Sequence, residues 1–177
     1  MKPVYLLTGQ PGTGKTSLIK QAIAGLKGKA GGFYTEEIKS QGVRQGFRLV
    51  TLDGQTAVLA HLYFHSPHRV SKYGIDLESL DKVGVAAINQ AIEERDLVVI
   101  DEIGKMELLS AKFREAVLKI LKSQKRLLAT IMLSANPCAD AIKSQPQVNL
   151  VTVTRNNHQT VLAELRDWLD APLSPKV

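Results

Sequence analysis

The chain has 177 residues, 44% of them hydrophobic, and its single cysteine, Cys138, excludes an intramolecular disulfide framework. No apolar stretch approaches the about 20 residues of a membrane-spanning helix, and the N-terminal apolar run is too short for a secretory signal, so we expect a cytoplasmic protein without membrane contact. The lysines behind the net charge of +6 are scattered, which favours a polyanionic small ligand over nucleic acid, and we expect a monomer.

Apolar runs of two kinds alternate along the chain. In chain order they predict a strand at 3–8, a helix at 15–26, a helix at 80–95, a strand at 97–103, a helix at 113–121, strands at 127–133 and 150–154, and a helix at 160–169. Strands without polar alternation, separated by helices, predict a mostly parallel sheet that is covered on both faces.

Residues 32–62 interrupt this alternation, because they contain short β-rich runs separated by turn signals and little helical pattern. Asp53 and Gly54 form a typical hairpin turn between two such runs. We therefore expect an antiparallel β insertion at the edge of the parallel sheet. The whole of 1–170 is predicted to form one domain, with a flexible tail at 171–177.

The stretch GQPGTGKT, residues 9–16, matches the P-loop pattern G-x-x-x-x-G-K-[ST] and lies between a predicted strand and a predicted helix. Its glycines allow the backbone to wrap closely around phosphates, and the following helix start adds a positive dipole end. Lys15 is expected to reach the β and γ phosphates and Thr16 to hold Mg²⁺. The nucleotide-binding residues expected here are Gly9, Gln10, Pro11, Gly12, Thr13, Gly14, Lys15, Thr16 and Ser17.

Two adjacent carboxylates, Asp101 and Glu102, end the predicted strand 97–103. In a parallel sheet this end faces the same crevice as the P-loop, and two uncompensated charges there would be costly. We therefore predict a Mg²⁺ ion held directly by Thr16 and through water by Asp101. Glu102 is then the expected general base that orients and deprotonates water for attack on the γ-phosphate, which favours hydrolysis over transfer to a second substrate.

Phosphoryl transfer also benefits from a cation beside the developing negative charge. The candidates are Arg44 and Arg48 in the predicted insertion, Arg69 in the loop that follows it, and Lys105 just after Gly104. For each of them a solvated surface position is the alternative, and the sequence leaves this choice open.

Three stretches together resemble one protein family: GQPGTGKTSLI (9–19), GGFYTEEIKSQGVRQGF (31–47) and LVVIDEIGKMEL (97–108). Their order and spacing are similar to those of the THEP family of nucleoside-triphosphatases, also called cancer-related nucleoside-triphosphatases. The resemblance extends over about residues 2–169. It implies a three-layer, RecA-like P-loop fold and slow, Mg²⁺-dependent hydrolysis of ATP, GTP and other triphosphates to diphosphate and phosphate, with low base selectivity.

The resemblance also implies nucleotide contacts along the acidic strand, at Leu97, Val98, Val99, Ile100, Asp101, Glu102, Ile103 and Gly104. One position departs from the family pattern, because His158 stands where the family has arginine. Any role of that arginine in nucleotide contact is therefore open here, and Arg155 is a possible substitute.

Two other classes of function remain open. The chain lacks the N-K-x-D stretch that binds guanine, and a site without base-edge contacts discriminates weakly between triphosphates. A nucleotide or small-molecule kinase would pass the phosphoryl group to an acceptor rather than to water. A nucleotide-switched binding module would turn over very slowly unless its partner were present.

Overall fold

The computed structural model describes residues 1–26 and 29–172 as a mixed sheet flanked by helices. Its strands are β1 (Val4–Thr8), β2 (Ala30–Ser40), β3 (Val43–Thr51), β4 (Thr56–His61), β5 (Arg69–Val70), β6 (Tyr73–Ile75), β7 (Leu97–Ile103), β8 (Arg126–Ile131) and β9 (Val148–Thr152). Its helices are α1 (Lys15–Ile23), α2 (Leu77–Ser79), α3 (Ala86–Glu94), α4 (Ala111–Lys122), α5 (Pro137–Lys143) and α6 (His158–Asp170).

The described strands form one sheet in the order β5-β6-β4-β3-β2-β7-β8-β1-β9. All neighbours from β2 to β9 in this order are parallel, and all neighbours from β5 to β2 are antiparallel. The prediction of a parallel core with an antiparallel β insertion is therefore confirmed, and the insertion contributes as many neighbour pairs to the described sheet as the core does.

The central parallel strands β1, β7 and β8 are buried on both faces, as their unbroken apolar runs predict. Val4 and Leu6 of β1 belong to the core that includes side chains of α3, α4 and α5. Tyr5 and Leu7 belong to a second core that includes side chains of α1 and α6. Successive residues of one strand thus face opposite helix layers, which gives the three-layer arrangement.

Strand β2 belongs to both halves of the sheet, and this corrects the expected start of the insertion at residue 32. Its first residues, Ala30 to Phe33, pair in parallel with β7, and the strand then continues to Ser40 as the antiparallel partner of β3. The insertion therefore grows out of a core strand. The predicted hairpin turn at Asp53 and Gly54 is present between β3 and β4.

Other differences from the predicted elements are local. The predicted helix 80–95 begins as a π-helical segment, Leu80–Val85, before α3. Helix α5 was not predicted, although the Asn136 side chain accepts hydrogen bonds from the amides of Cys138 and Ala139 at its start. Of the predicted tail, positions 173–177 lie outside the described residues. Among the helices that are described, none has the length and apolar character to cross a bilayer.

Candidate active site

The loop between β1 and α1 is pressed against the segment that links β9 to α6. A Cβ on Gly9 would lie 2.4 Å from the carbonyl oxygen of Val153. Gly14 has a left-handed backbone (φ +85°), and its Cβ would lie 2.8 Å from Nε2 of His158. Side chains at these two positions would clash with Val153 and His158. The glycine spacing of the motif is therefore needed for packing as well as for phosphate access.

The first turn of α1 is open to an anion. Its N-cap is Gly14, which has no side chain to occupy the free amides, and the first turn carries no acidic residue. The Lys15 ammonium donates hydrogen bonds of 2.9 Å to the carbonyl oxygens of Gly9 and Gln10. The loop thus gathers backbone N–H groups, a helix N-terminus and one cation around the same space.

Asp101 is buried at 2% exposure and is held by hydroxyl groups from two other elements. Thr16 donates to its Oδ2 at 2.7 Å, and Thr130 at the end of β8 donates to its Oδ1 at 2.5 Å. Burial raises the pKa of Asp101, while these two hydroxyl groups and the amide of Thr35 oppose the rise. The predicted meeting of the P-loop with the acidic strand is therefore present.

Glu102 follows Asp101 through a cis peptide bond, and its carboxyl group is close to a third acid, Glu107. Glu102 Oε1 and Glu107 Oε2 lie 2.4 and 3.0 Å from the same point, the position that a Cβ on Gly104 would take. Burial and the charge of Asp101 raise the pKa of Glu102, and Lys15 lowers it. Burial also raises the pKa of Glu107 to about 8, with Glu102 adding to the rise.

A cavity of about 890 Å³ connects the P-loop, the acidic pair and the insertion. Its volume is within the range of about 300–1,000 Å³ that is usual for small-molecule sites. It is lined by Pro11, Gly12, Gly14, Lys15, Thr16, Ser17, Lys20, Gln21, Ala24, Thr35, Glu36, Glu37, Arg44, Phe47, Asp101 and Glu102.

The predicted nucleotide contacts divide into two groups. Of the acidic strand, Asp101 and Glu102 line the cavity, and Gly104 lies behind Glu102. The apolar residues of that strand are at most 3% exposed and pack in the two cores, so they support the acidic pair from below the site: they are Leu97, Val98, Val99, Ile100 and Ile103. In the P-loop, the expected residues outside the cavity lining are Gly9, Gln10 and Thr13.

The four candidate cations, all within the described residues, differ in their positions and partners. Arg44 lines the cavity, where its guanidinium pairs with Glu37. Arg48 pairs with Glu36 at 2.9 Å outside the lining. Arg69 donates to the carbonyl of Lys72 at 2.8 Å in the β5–β6 turn. The fourth candidate, Lys105, is exposed and does not line the cavity.

Sequence reasoning missed several residues of the site. Thr130 has the closest contact to Asp101, yet it lies in an apolar strand with no motif of its own. Phe47 and Thr35 reach the cavity because the insertion stands over it. A signal was available for Thr35 and its neighbours, since the stretch GFYTEE is one of those that carry the family resemblance.

Comparison with known proteins identifies close relatives over most of the chain. A family model described as NTPase matches residues 4–166. Nucleoside-triphosphatase THEP1 of Thermotoga sp. (strain RQ2) is 47% identical over 160 residues, which are 90% of this chain and 91% of that protein. Nucleoside-triphosphatase THEP1 of Methanocaldococcus jannaschii is 38% identical over 170 residues, covering 94% and 97%.

Two solved structures have the same fold. The crystal structure of THEP1 from the hyperthermophile Aquifex aeolicus has a TM-score of 0.88 and 31% identity, covering 95% of this chain and 99% of that one. The solution structure of a human cancer-related nucleoside triphosphatase has a TM-score of 0.81 and 34% identity, covering 97% and 98%. The three-layer P-loop architecture is therefore shared with both structures.

Proposed function

The chain belongs to the NTPase family and is a nucleoside-triphosphatase, and from that premise we propose that it hydrolyses the γ-phosphate of ATP, GTP and other nucleoside triphosphates with Mg²⁺ and little base selectivity. The observation that carries the proposal is the hydrogen bond of 2.7 Å between Thr16 and Asp101, because it joins the P-loop to the acidic strand. The same cavity then contains phosphate-binding groups and a carboxylate base.

The P-loop binds the triphosphate in this proposal. The uncapped amides at the start of α1 donate to phosphate oxygens, and the helix dipole favours the negative charge. Lys15 exchanges its bonds to the carbonyl oxygens of Gly9 and Gln10 for bonds to the β and γ phosphates. This exchange matters because the ammonium is then directed at the phosphoryl group that is transferred.

The oxygen ligands around Asp101 fit Mg²⁺. The Thr16 hydroxyl and the Asp101 carboxylate are hard oxygen donors in contact with each other, and the buried carboxylate lacks a neighbouring cation at contact distance among the described residues. Those residues also contain no group of three or more His, Cys, Asp or Glu side chains that could hold a metal. Phosphate oxygens and water would therefore complete the coordination. When bound, Mg²⁺ neutralises charge on the phosphates.

Glu102 is the proposed general base. Its carboxylate lines the cavity beside Asp101, and burial raises its pKa, which makes it a stronger proton acceptor than an exposed glutamate. Glu102 orients a water molecule toward the γ-phosphorus and takes its proton. Arg44 is the proposed cation for the developing charge, since it is the candidate that lines the same cavity.

Weak base selectivity is supported by what the sequence lacks. No N-K-x-D stretch follows any strand, so a motif that binds guanine is absent. Discrimination between bases requires polar groups that are left unpaired by the wrong base. We therefore expect similar kcat/KM values for ATP, GTP, CTP and UTP.

The test measures the rate of phosphate release from ATP for wild type, for Glu102→Gln and for a matched control, Glu115→Gln. Glu115 lies on the exposed surface of α4. The expected result is a loss of about 10²–10⁴-fold in kcat for Glu102→Gln, with an unchanged Kd for a non-hydrolysable triphosphate. Glu115→Gln should behave as wild type. Full turnover by Glu102→Gln with intact nucleotide binding would contradict the assignment of the base.

A further inference from the structure

The β2–β3 hairpin forms a wall of the cavity, and the proposed hydrolysis uses Arg44 of this wall but not Glu36, Glu37 or Phe47. Along the edge of the sheet, the P-loop follows β1, the acidic pair lies near the carboxyl end of β7, and the hairpin lies beyond β7. Strand β2 pairs with β7 only through Phe33 and then continues for seven more residues past it. Glu36, Glu37 and Phe47 thus line the same cavity as the P-loop, from the part of the sheet that lies beyond β7.

This wall lies where a nucleophile must approach. A triphosphate held by Lys15, with its γ-phosphate near Glu102, directs that phosphate away from the P-loop and toward the hairpin. In-line displacement requires the attacking oxygen to come from the side opposite the leaving diphosphate. The attacking oxygen therefore comes from the space between Glu102 and the hairpin, which belongs to the cavity that Glu102 and Phe47 both line.

The wall has the chemistry to hold a flat ring. The Phe47 ring is fixed from one side by Tyr73, whose ring centroid is 5.3 Å away in an edge-on arrangement. The guanidinium of Arg44 lies 5.2 Å from the centroid of Phe47. Aromatic rings and guanidinium planes stack on nucleobases whatever the identity of the base. A planar ring that enters the cavity from solvent can therefore stack on Phe47 and Arg44.

The same wall can also bind hydroxyl groups. Glu36 is paired with Lys20 and Arg48, and Glu37 is paired with Lys39 and Arg44. These partners fix the two carboxylates in place as ionised acceptors. A carboxylate has about four lone-pair positions, so each of them retains acceptor capacity for a sugar hydroxyl.

We propose that the hairpin wall is an acceptor site for a nucleoside, and that the enzyme transfers the γ-phosphoryl group to a sugar hydroxyl of that nucleoside as well as to water. The acceptor oxygen forms a bond to the γ-phosphorus while the bond from that phosphorus to the β,γ-bridging oxygen breaks. The hydroxyl proton goes to Glu102, and the products are a nucleoside monophosphate and the nucleoside diphosphate. This inference rests on the proposed triphosphate binding at the P-loop.

The experiment incubates the full chain with Mg²⁺ and ATP labelled at the γ-phosphate, adding adenosine, guanosine, cytidine or uridine one at a time. Labelled nucleoside monophosphate and labelled phosphate are separated and counted in the same samples. We expect labelled monophosphate with at least one nucleoside. In Phe47→Leu the ratio of transfer to hydrolysis should fall about tenfold with a higher KM for the nucleoside, since the stacking surface is lost.

Two further variants test whether the effect is due to the aromatic ring at position 47. Phe47→Tyr keeps the ring and should retain the wild-type ratio within about twofold, by the same stacking argument. Tyr63→Leu removes an exposed aromatic ring outside the cavity and should leave the ratio unchanged. Transfer that is equal in Phe47→Leu and wild type would overturn the proposed site.

The remaining outcomes also decide the question. Phosphate release without labelled monophosphate from any nucleoside would overturn the acceptor site and leave the proposed hydrolysis intact. A higher KM for ATP in Phe47→Leu, again without labelled monophosphate, would assign the wall to the base of the bound triphosphate itself. Absence of both products would overturn the proposed function, on which the acceptor site rests.

Discussion

Gly104→Ala should displace the carboxylate of the proposed base, Glu102, without replacing any residue that is proposed to act in catalysis. The added Cβ would lie 2.4 Å from Oε1 and 2.9 Å from Cγ of Glu102, and 3.0 Å from Oε2 of Glu107. Gly104 does not have a left-handed backbone, so the substitution adds a methyl group and no backbone strain. Since Glu107 is buried and cannot retreat, the Glu102 side chain has to move toward the cavity.

The size of the effect follows from this displacement. A contact of 2.4 Å must lengthen by about 1 Å to become an ordinary van der Waals contact. A misplacement of about 1 Å in a reacting group costs about 10²-fold in rate, which is about 2.7 kcal/mol in the activation barrier. The P-loop is not altered, so the Kd for a non-hydrolysable triphosphate should stay within about threefold of wild type by the same reasoning.

The assay is single-turnover phosphate release with saturating enzyme, together with calorimetric measurement of nucleotide binding. Gly25→Ala is the matched control, because a Cβ at Gly25 would meet no atom within 4 Å. The control should hydrolyse as wild type does. If Gly104→Ala were equally fast while folded and able to bind nucleotide, the position of the Glu102 carboxylate would not limit the rate.

Two further predictions concern buried groups around the acidic pair. Thr130→Val removes the hydroxyl that donates to Asp101, so the free energy of unfolding measured by urea titration should fall by about 1.5–3 kcal/mol; a loss below about 0.5 kcal/mol would contradict the value given to this bond. The pKa of Glu107 is raised from 4.5 to about 8, so between these pH values the folded state keeps a proton that the unfolded state loses. The free energy of unfolding should therefore fall as the pH rises from 4.5 to about 8, by up to about 1.4 kcal/mol per pH unit. Glu107→Gln should reduce this slope in urea titrations at several pH values, and an unchanged slope would refute it.

Much of the fold could be read from local patterns. Strand β7 was predicted with its observed bounds, because its apolar run is unbroken and ends on two carboxylates. The P-loop, too, is specified locally by glycine spacing between a strand and a helix. The double role of β2 could not be read in this way, since it depends on which strands pair with each half of one extended segment. Pairing is a tertiary choice that period-two patterns do not encode.

The candidate site likewise combines residues that local motifs identify with residues that only strand pairing brings in. Asp101 and Thr16 are identified by motifs, but Thr130 reaches Asp101 only because β8 lies beside β7 in register. The choice among the candidate cations likewise depended on the hairpin, where Arg48 lies directly opposite Glu36 across the strand pair. A sequence alone lists charges without their positions. Arg44 and Arg48 are both paired with a glutamate, and only their positions relative to the cavity distinguish them.

The continuity of β2 has a mechanical consequence. The amide of Thr35 holds the Asp101 carboxylate, and the same unbroken strand runs on to Ser40 at the hairpin tip. A molecule that displaced this tip would act on Asp101, the proposed metal ligand, through the backbone of β2 and the hydrogen bond from Thr35. The outer end of the hairpin and the proposed metal site are therefore connected within one strand and one hydrogen bond.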